Sequence, residues 1–174
     1  MAGPPAVHGS PLAVIDNTLL SRLVDLDLAQ FLPLLFKRVL IPPEVKREAF
    51  KAPGKRRLRN LINEYAGFFV DCREADPLVR DLLKVDLDEG EAAAIAQADK
   101  REATLLLDEE RGFKRATTMQ LKVIRTGRLL NMLKDAGAIR EVRPYHEMLV
   151  DKLGFYLSPE TRRELLVEAG EETA

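Results

Sequence analysis

Cysteine is nearly missing from this chain of 174 residues, where Cys72 stands alone. Neither a disulfide framework nor a cysteine-based zinc framework can be built from one thiol; a reducing, cytoplasmic setting is expected, with Cys72 a buried small hydrophobe. Tryptophan is absent and aromatic residues make up only 6%. No aromatic-rich platform for stacking bases can be read from that. The two histidines are His8, near the start, and His146, which reads as a surface or cap residue. Neither has a partner for nucleophilic catalysis. Apolar runs fall far short of the roughly 20 residues that cross a bilayer, so no membrane is expected. Residues 1–11 lack the basic and apolar regions of a signal peptide and read as a flexible leader or expression scar.

A strong charge of one sign is missing as well. The net charge of −1 provides no global field to hold a polyanion. Local clusters do exist: Lys51, Lys55, Arg56, Arg57 and Arg59 form one, and Arg111, Lys114, Arg115, Lys122, Arg125 and Arg128 another. Acidic residues crowd from Asp71 to Glu91. What remains is a globular composition, 46% hydrophobic and 32% charged, long enough for one sizeable core.

Along the chain, strands and helices alternate. Leu12-Ala-Val-Ile-Asp16 reads as a strand, and Leu19, Leu20, Leu23, Val24 and Leu26 follow at helical spacing. A helix around Phe31 to Phe36, a strand at 38–41 and a helix opened by Pro42-Pro43 come next. The stretch 51–54 breaks that helix; another helix over 55–65, a strand at 67–70 and a helix from Asp76-Pro77 through Lys84 succeed it. Asp88 with Glu91 resembles a capping box for the alanine-rich helix after it. Ala103 to Leu107 suggests a strand buried on both faces, with Asp108 at its end. A helix through Thr117, a short strand at 121–124 and further helices complete the chain. The pattern predicts a three-layer α/β/α sandwich with a mainly parallel central sheet.

Two of these strands end in aspartate, Asp16 and Asp108, which places both on the carboxyl edge where α/β sheets carry their sites. A lone aspartate there often does no more than cap the following helix. Two on one edge, with acidic helices able to face the same crevice, point to a cation, because grouped carboxylates repel and raise one another's pKa. Oxygen donors with few histidines select Mg²⁺ or Mn²⁺.

The segments Val14-Ile-Asp16-Asn-Thr18, Ile41-Pro-Pro-Glu-Val-Lys-Arg-Glu48, Leu87-Asp-Glu-Gly-Glu-Ala-Ala-Ala-Ile-Ala96 and Leu105-Leu-Leu-Asp-Glu-Glu-Arg-Gly112 occur in the order and spacing of the PIN domain. The chain resembles that family over about Leu12 to Ser158, most closely its VapC-like, predicted nucleic-acid-binding branch. The resemblance implies a PIN-like nuclease domain at 12–157 with a C-terminal helical tail at 158–174. It implies a Mg²⁺- or Mn²⁺-dependent ribonuclease whose catalytic and metal-binding acids are Asp16, Glu48, Glu91 and Asp108. Glu109 would be a secondary ligand at most, and Thr18 the hydroxyl residue that supports the site. Glu44 lies one turn from Glu48 on the same face and competes for its role. Many relatives carry Asp where this chain has Glu91. Arg111, Lys114 and Arg115, on the helix after Asp108, are the candidates for gripping RNA. A small antitoxin and a homodimer are implied by the resemblance alone.

Two other readings compete. An aspartyl phosphatase would want a second acid two residues after Asp16, where Thr18 stands. A PIN-fold module that binds RNA or protein without cutting is the second, and four filled acidic positions argue against it.

Overall fold

A computed structural model describes residues 11–51, 55–73 and 75–173. The leader expected over the first residues and the break at 52–54 lie outside the described residues. Five strands form one all-parallel sheet: β1 (Leu12–Ile15), β2 (Arg38–Ile41), β3 (Phe69–Asp71), β4 (Thr104–Leu106) and β5 (Val123–Ile124), in the order β3-β2-β1-β4-β5. The expected three-layer α/β/α sandwich is the fold. In the centre, Val14 of β1 lies between Leu40 of β2 and Leu105 of β4. Ala13, Val14, Ile15, Leu105 and Leu106 have no exposure at all. Strands covered on both faces need such unbroken apolar runs. Chain order reverses at β1, which neighbours both β2 and β4. The crevice beyond the carboxyl ends of β1 and β4 is therefore the topological switch point of the sheet.

Helices α1 (Asn17–Asp25), α2 (Pro43–Lys51), α3 (Lys55–Glu64), α4 (Pro77–Leu83), α5 (Glu89–Arg101) and α6 (Glu110–Thr118) connect the strands. Of these, α5 is the most enclosed: every residue from Gly90 to Ala98 is buried, and it packs on α2, α4, α6, β1 and β4. Its run Ala92-Ala-Ala-Ile-Ala96 is apolar on every face, and such a stretch belongs inside. Its start is the expected capping box. Asp88 Oδ1 accepts from the Glu91 N–H at 2.8 Å, and Glu91 Oε2 accepts from the Asp88 N–H at 3.4 Å.

The structure corrects several boundaries. The segment expected as a helix around 31–36 is a 3-10 helix at Ala29–Leu34 containing Pro33, whose missing N–H does not support an α-helical ladder. The third strand begins at Phe69, not at residue 67. Gly67 takes φ +92° in the turn that closes α3, where the Phe68 and Phe69 N–H groups both donate to Tyr65 O. Cys72 is buried as expected, and burial pushes its thiol up to about 11.

Packing divides the chain into two units, one up to Arg125 and one from Thr126. The second holds α7 (Thr126–Asp135), α8 (Arg143–Leu153) and α9 (Pro159–Glu168). There Asn131 Nδ2 donates to Leu165 O at 3.0 Å and to Glu168 Oε2 at 2.9 Å, tying α7 to α9. Glu171 accepts from the N–H groups of Val142 and Arg143 at the start of α8, which has no side-chain cap of its own, and from Lys134 Nζ. His146 is not the surface or cap residue expected. It lies on α8 with no exposure, and neither ring nitrogen has a hydrogen-bond partner among the described residues. Burial lowers its pKa, so it packs as a neutral ring. Among the described residues no helix is long and apolar enough to cross a membrane.

Candidate active site

Asp16 follows β1 in extended conformation and caps α1, its Oδ2 accepting from the Thr18 N–H at 3.0 Å. An aspartate in this place suits both the cap and the helix dipole. Its own N–H donates to Leu106 O at 3.0 Å, which ties it to the end of β4, two residues before Asp108. Only 3% of Asp16 is exposed. Burial, then repulsion from Asp88 and Asp108, raises its pKa to about 6 against the pull of backbone bonds to Thr18 and Asn17. Thr18 was expected to support the site through its hydroxyl. The contact observed with Asp16 is made by the Thr18 backbone N–H, and the residue is exposed.

Glu48 and Glu44 share α2 but meet different surroundings. Glu48 is half-buried, and its Oε1 accepts from the Gly90 N–H at 3.1 Å in the first turn of α5. Burial and the charges of Asp88 and Asp16 raise its pKa. Glu44 is fully buried with Oε1 3.2 Å from Arg80 Nη1. Asp16 is among the groups repelling Glu48, and Glu44 is spent on an ion pair, so Glu48 is the glutamate of α2 that joins the cluster. Gly90 makes this possible: a Cβ there would fall 2.5 Å from Glu48 Oε2. Glycine in a helix costs about 1 kcal/mol relative to alanine, and a close approach of this kind is a reason to accept it.

Glu91, one residue on, is 6% exposed. Burial, then Asp88, Asp16 and Glu109, raises its pKa to about 7 despite the capping bond. Asp108, 4% exposed, lies beyond the end of β4 with Oδ2 2.5 Å from Arg22 Nη1. Its backbone oxygen accepts from Arg125 Nη2 at 2.7 Å, and Arg125 also pairs with Glu110 and lies over the Phe113 ring. Glu109 caps α6 by accepting from the Arg111 N–H at 3.3 Å and is exposed.

Four acids distant in sequence thus gather at the switch point, coupled through Asp16. Sequence reasoning missed two participants. Asp88, read only as a cap, is the leading repulsive charge on Asp16, Glu48 and Glu91 alike. The run Asp88-Glu-Gly-Glu91 was its signal. Arg22, the cation paired with Asp108, sits three residues after buried Leu19 and four before Leu26, a charge beside an apolar stripe.

The donor chemistry fits a hard divalent cation: carboxylate oxygens only, mutually repelling and largely buried. Yet among the described residues no three acidic, histidine or cysteine side chains are grouped so as to hold one ion. Each carboxylate rests instead on a donor of the protein: Asp16 on Thr18, Glu48 on Gly90, Glu91 on Asp88 and Asp108 on Arg22.

The exposed cations Arg111, Lys114 and Arg115 on α6 line a cavity of about 500 Å³ with Val85, Asp86, Leu87 and Thr118. Leu87 directly precedes Asp88, so this basic surface begins beside the acids. In the other basic cluster, Arg57 pairs with Asp27 and Arg59 lies over the Phe50 ring.

A family model described as PIN domain matches residues 12–171. The chain belongs to the PIN domain family. Its fold is shared with VapBC2 from Rickettsia felis, solved bound to a DNA fragment from their promoter, at 14% identity and a TM-score of 0.51 over 66% of this chain and 98% of that one. A PilT N-terminus domain protein from the hyperthermophilic archaeon Sulfolobus solfataricus P2 is similar at 12% identity and a TM-score of 0.42, over 73% of this chain and 92% of that one. No curated protein matches the chain. In PIN terms the matched span contains all four acids and the basic helix α6.

Proposed function

We propose that this PIN-family chain is a Mg²⁺- or Mn²⁺-dependent endoribonuclease acting on single-stranded or loop RNA, the toxin of a toxin–antitoxin pair. The observation that carries the reading is the convergence of Asp16, Glu48, Glu91 and Asp108 at the sheet's switch point, where burial and mutual repulsion raise three of their pKa values. A cluster so short of positive charge is poised to take up a divalent cation. When bound, the ion supplies an acidified water and an electrophile toward phosphate oxygens.

The chain's own residues divide the remaining work. Asp16 and Asp108, at strand ends, would hold the ion with Glu48 and Glu91, on helices; Glu91, its pKa raised to about 7 chiefly by burial, is suited to accept a proton near neutrality. Glu109 stands outside them. Arg111, Lys114 and Arg115 take the RNA backbone, which the acidic crevice would otherwise repel. A small antitoxin and a homodimer belong to this reading through the family.

A second reading, a PIN-fold module that binds without cutting, draws on the fact that every acid is already held by a donor of the protein. Purified chain separates the two. Cleavage of unstructured RNA should require Mn²⁺ or Mg²⁺, stop with chelator and disappear in Asp108→Asn. RNA binding without cleavage at any metal concentration, unchanged in Asp108→Asn, would establish the second reading instead.

A further inference from the structure

The ion pair between Arg22 and Asp108 joins two elements that chain order keeps far apart. Arg22 lies in the last turn of α1, the helix that Asp16 caps, and its guanidinium reaches Asp108 beyond β4. Helical side chains lean toward the N-terminus of their helix, so an arginine six residues after the cap is directed back toward the crevice. The Arg22 side chain is 20% exposed and that of Asp108 3%, which puts the pair at the edge of the site and shields it from full solvent screening.

We propose that Arg22 is the resident counter-cation of the acidic crevice, a positioning residue that holds Asp108 in the metal-free protein and competes with the divalent ion for it. The inference rests on the reading of the crevice as an ion site. Its physics is simple: a positive charge at hydrogen-bond distance from a ligand oxygen opposes a second, doubly charged cation there, whether the guanidinium stays or must turn aside. Arg22 therefore sets the metal affinity below what four carboxylates alone would give. It also offsets part of the repulsion the cluster suffers without metal. A phosphate arriving with the ion offers the displaced guanidinium a new anionic partner, so ion and substrate should favour each other's binding.

Calorimetric titration of the full chain with MnCl₂ at pH 7.5 tests this, beside thermal unfolding in chelator. Arg22→Met and Arg22→Gln, both neutral, are expected to bind Mn²⁺ about tenfold more tightly than wild type or better, and to melt lower without metal. Arg22→Lys keeps the charge and should bind Mn²⁺ nearly as wild type does. A merely structural arginine would lower the melting temperature in all three and leave Mn²⁺ affinity alone. Unchanged or weaker Mn²⁺ binding in the folded neutral variants overturns the proposal while leaving the ion site standing. Absence of Mn²⁺ binding in wild type and neutral variants alike removes the site itself, and the proposal with it.

Discussion

Replacing Asp16 with Asn should make the metal-free protein more stable, and the gain should depend on pH. The substitution preserves shape and the cap, because an asparagine oxygen accepts from the Thr18 N–H as well as a carboxylate does. It removes a charge that is 3% exposed and repelled by Asp88 and Asp108. Folding raises the Asp16 pKa from the ordinary 3.8 to about 6, so the native state binds its proton more tightly than the unfolded chain. Stability from this group is thus complete below pH 3.8 and is lost as pH rises through 6. Wild type and Asp16→Asn should match near pH 4 and diverge toward pH 7. Above that the variant should lead by at most roughly 3 kcal/mol, the free energy of a shift of about two units. In a chain of this size each kcal/mol is about 2–4 °C of melting temperature. Denaturant titrations in chelator across that range provide the assay, with the difference between the two proteins cancelling groups such as His146 that titrate in both. Adding Mn²⁺ at about 1,000 times its dissociation constant should reverse the order, since that stabilises wild type by about 4.1 kcal/mol. A gap that does not vary with pH, or a variant less stable at pH 8 without metal, would refute the account of a repelled, buried carboxylate.

Gly90→Ala should leave the unfolding free energy within about 1 kcal/mol of wild type, helix propensity offsetting the crowding of a flexible side chain, yet weaken Mn²⁺ binding several-fold by calorimetry because the new Cβ displaces the Glu48 carboxylate. Arg111→Gln, Lys114→Gln and Arg115→Gln together should weaken RNA binding and flatten the plot of log affinity against log salt by about 2 units, near 0.7 per lost phosphate contact. Fluorescence anisotropy with Asp108→Asn as the background reads that slope, and an unchanged slope places the RNA elsewhere.

The fold was legible because the central strands carry unbroken apolar runs, and because Asp16 and Asp108 close two of them; parallel pairing then leaves little choice about the edge on which they meet. Glu44 and Glu48 could not be told apart in sequence, since both lie on one helical face. The decision comes from α5 approaching α2 at Gly90, a contact between residues 42 positions apart. Arg22 was hidden for a related reason. Its partner is 86 positions away, and local periodicity registers it only as a cation next to Leu19. His146 was misjudged because a polar side chain on a helix is usually solvated, whereas here α8 turns it inward as a neutral ring.

Capping and ligation are not rival explanations of these acids. Asp16 caps α1, Asp88 and Glu91 cap α5 reciprocally, and Glu48 accepts from an N–H in the first turn of α5. Helix N-termini are where partial positive charge is available inside a protein, so they are also where carboxylates can be gathered without a cation present. That arrangement stores the acids close to one another at modest cost, while the raised pKa values of Asp16 and Glu91 reflect first the burial of their charges and then the repulsion that remains. The caps therefore account for how the metal-free crevice persists, and the residual repulsion accounts for why a divalent ion would be drawn into it.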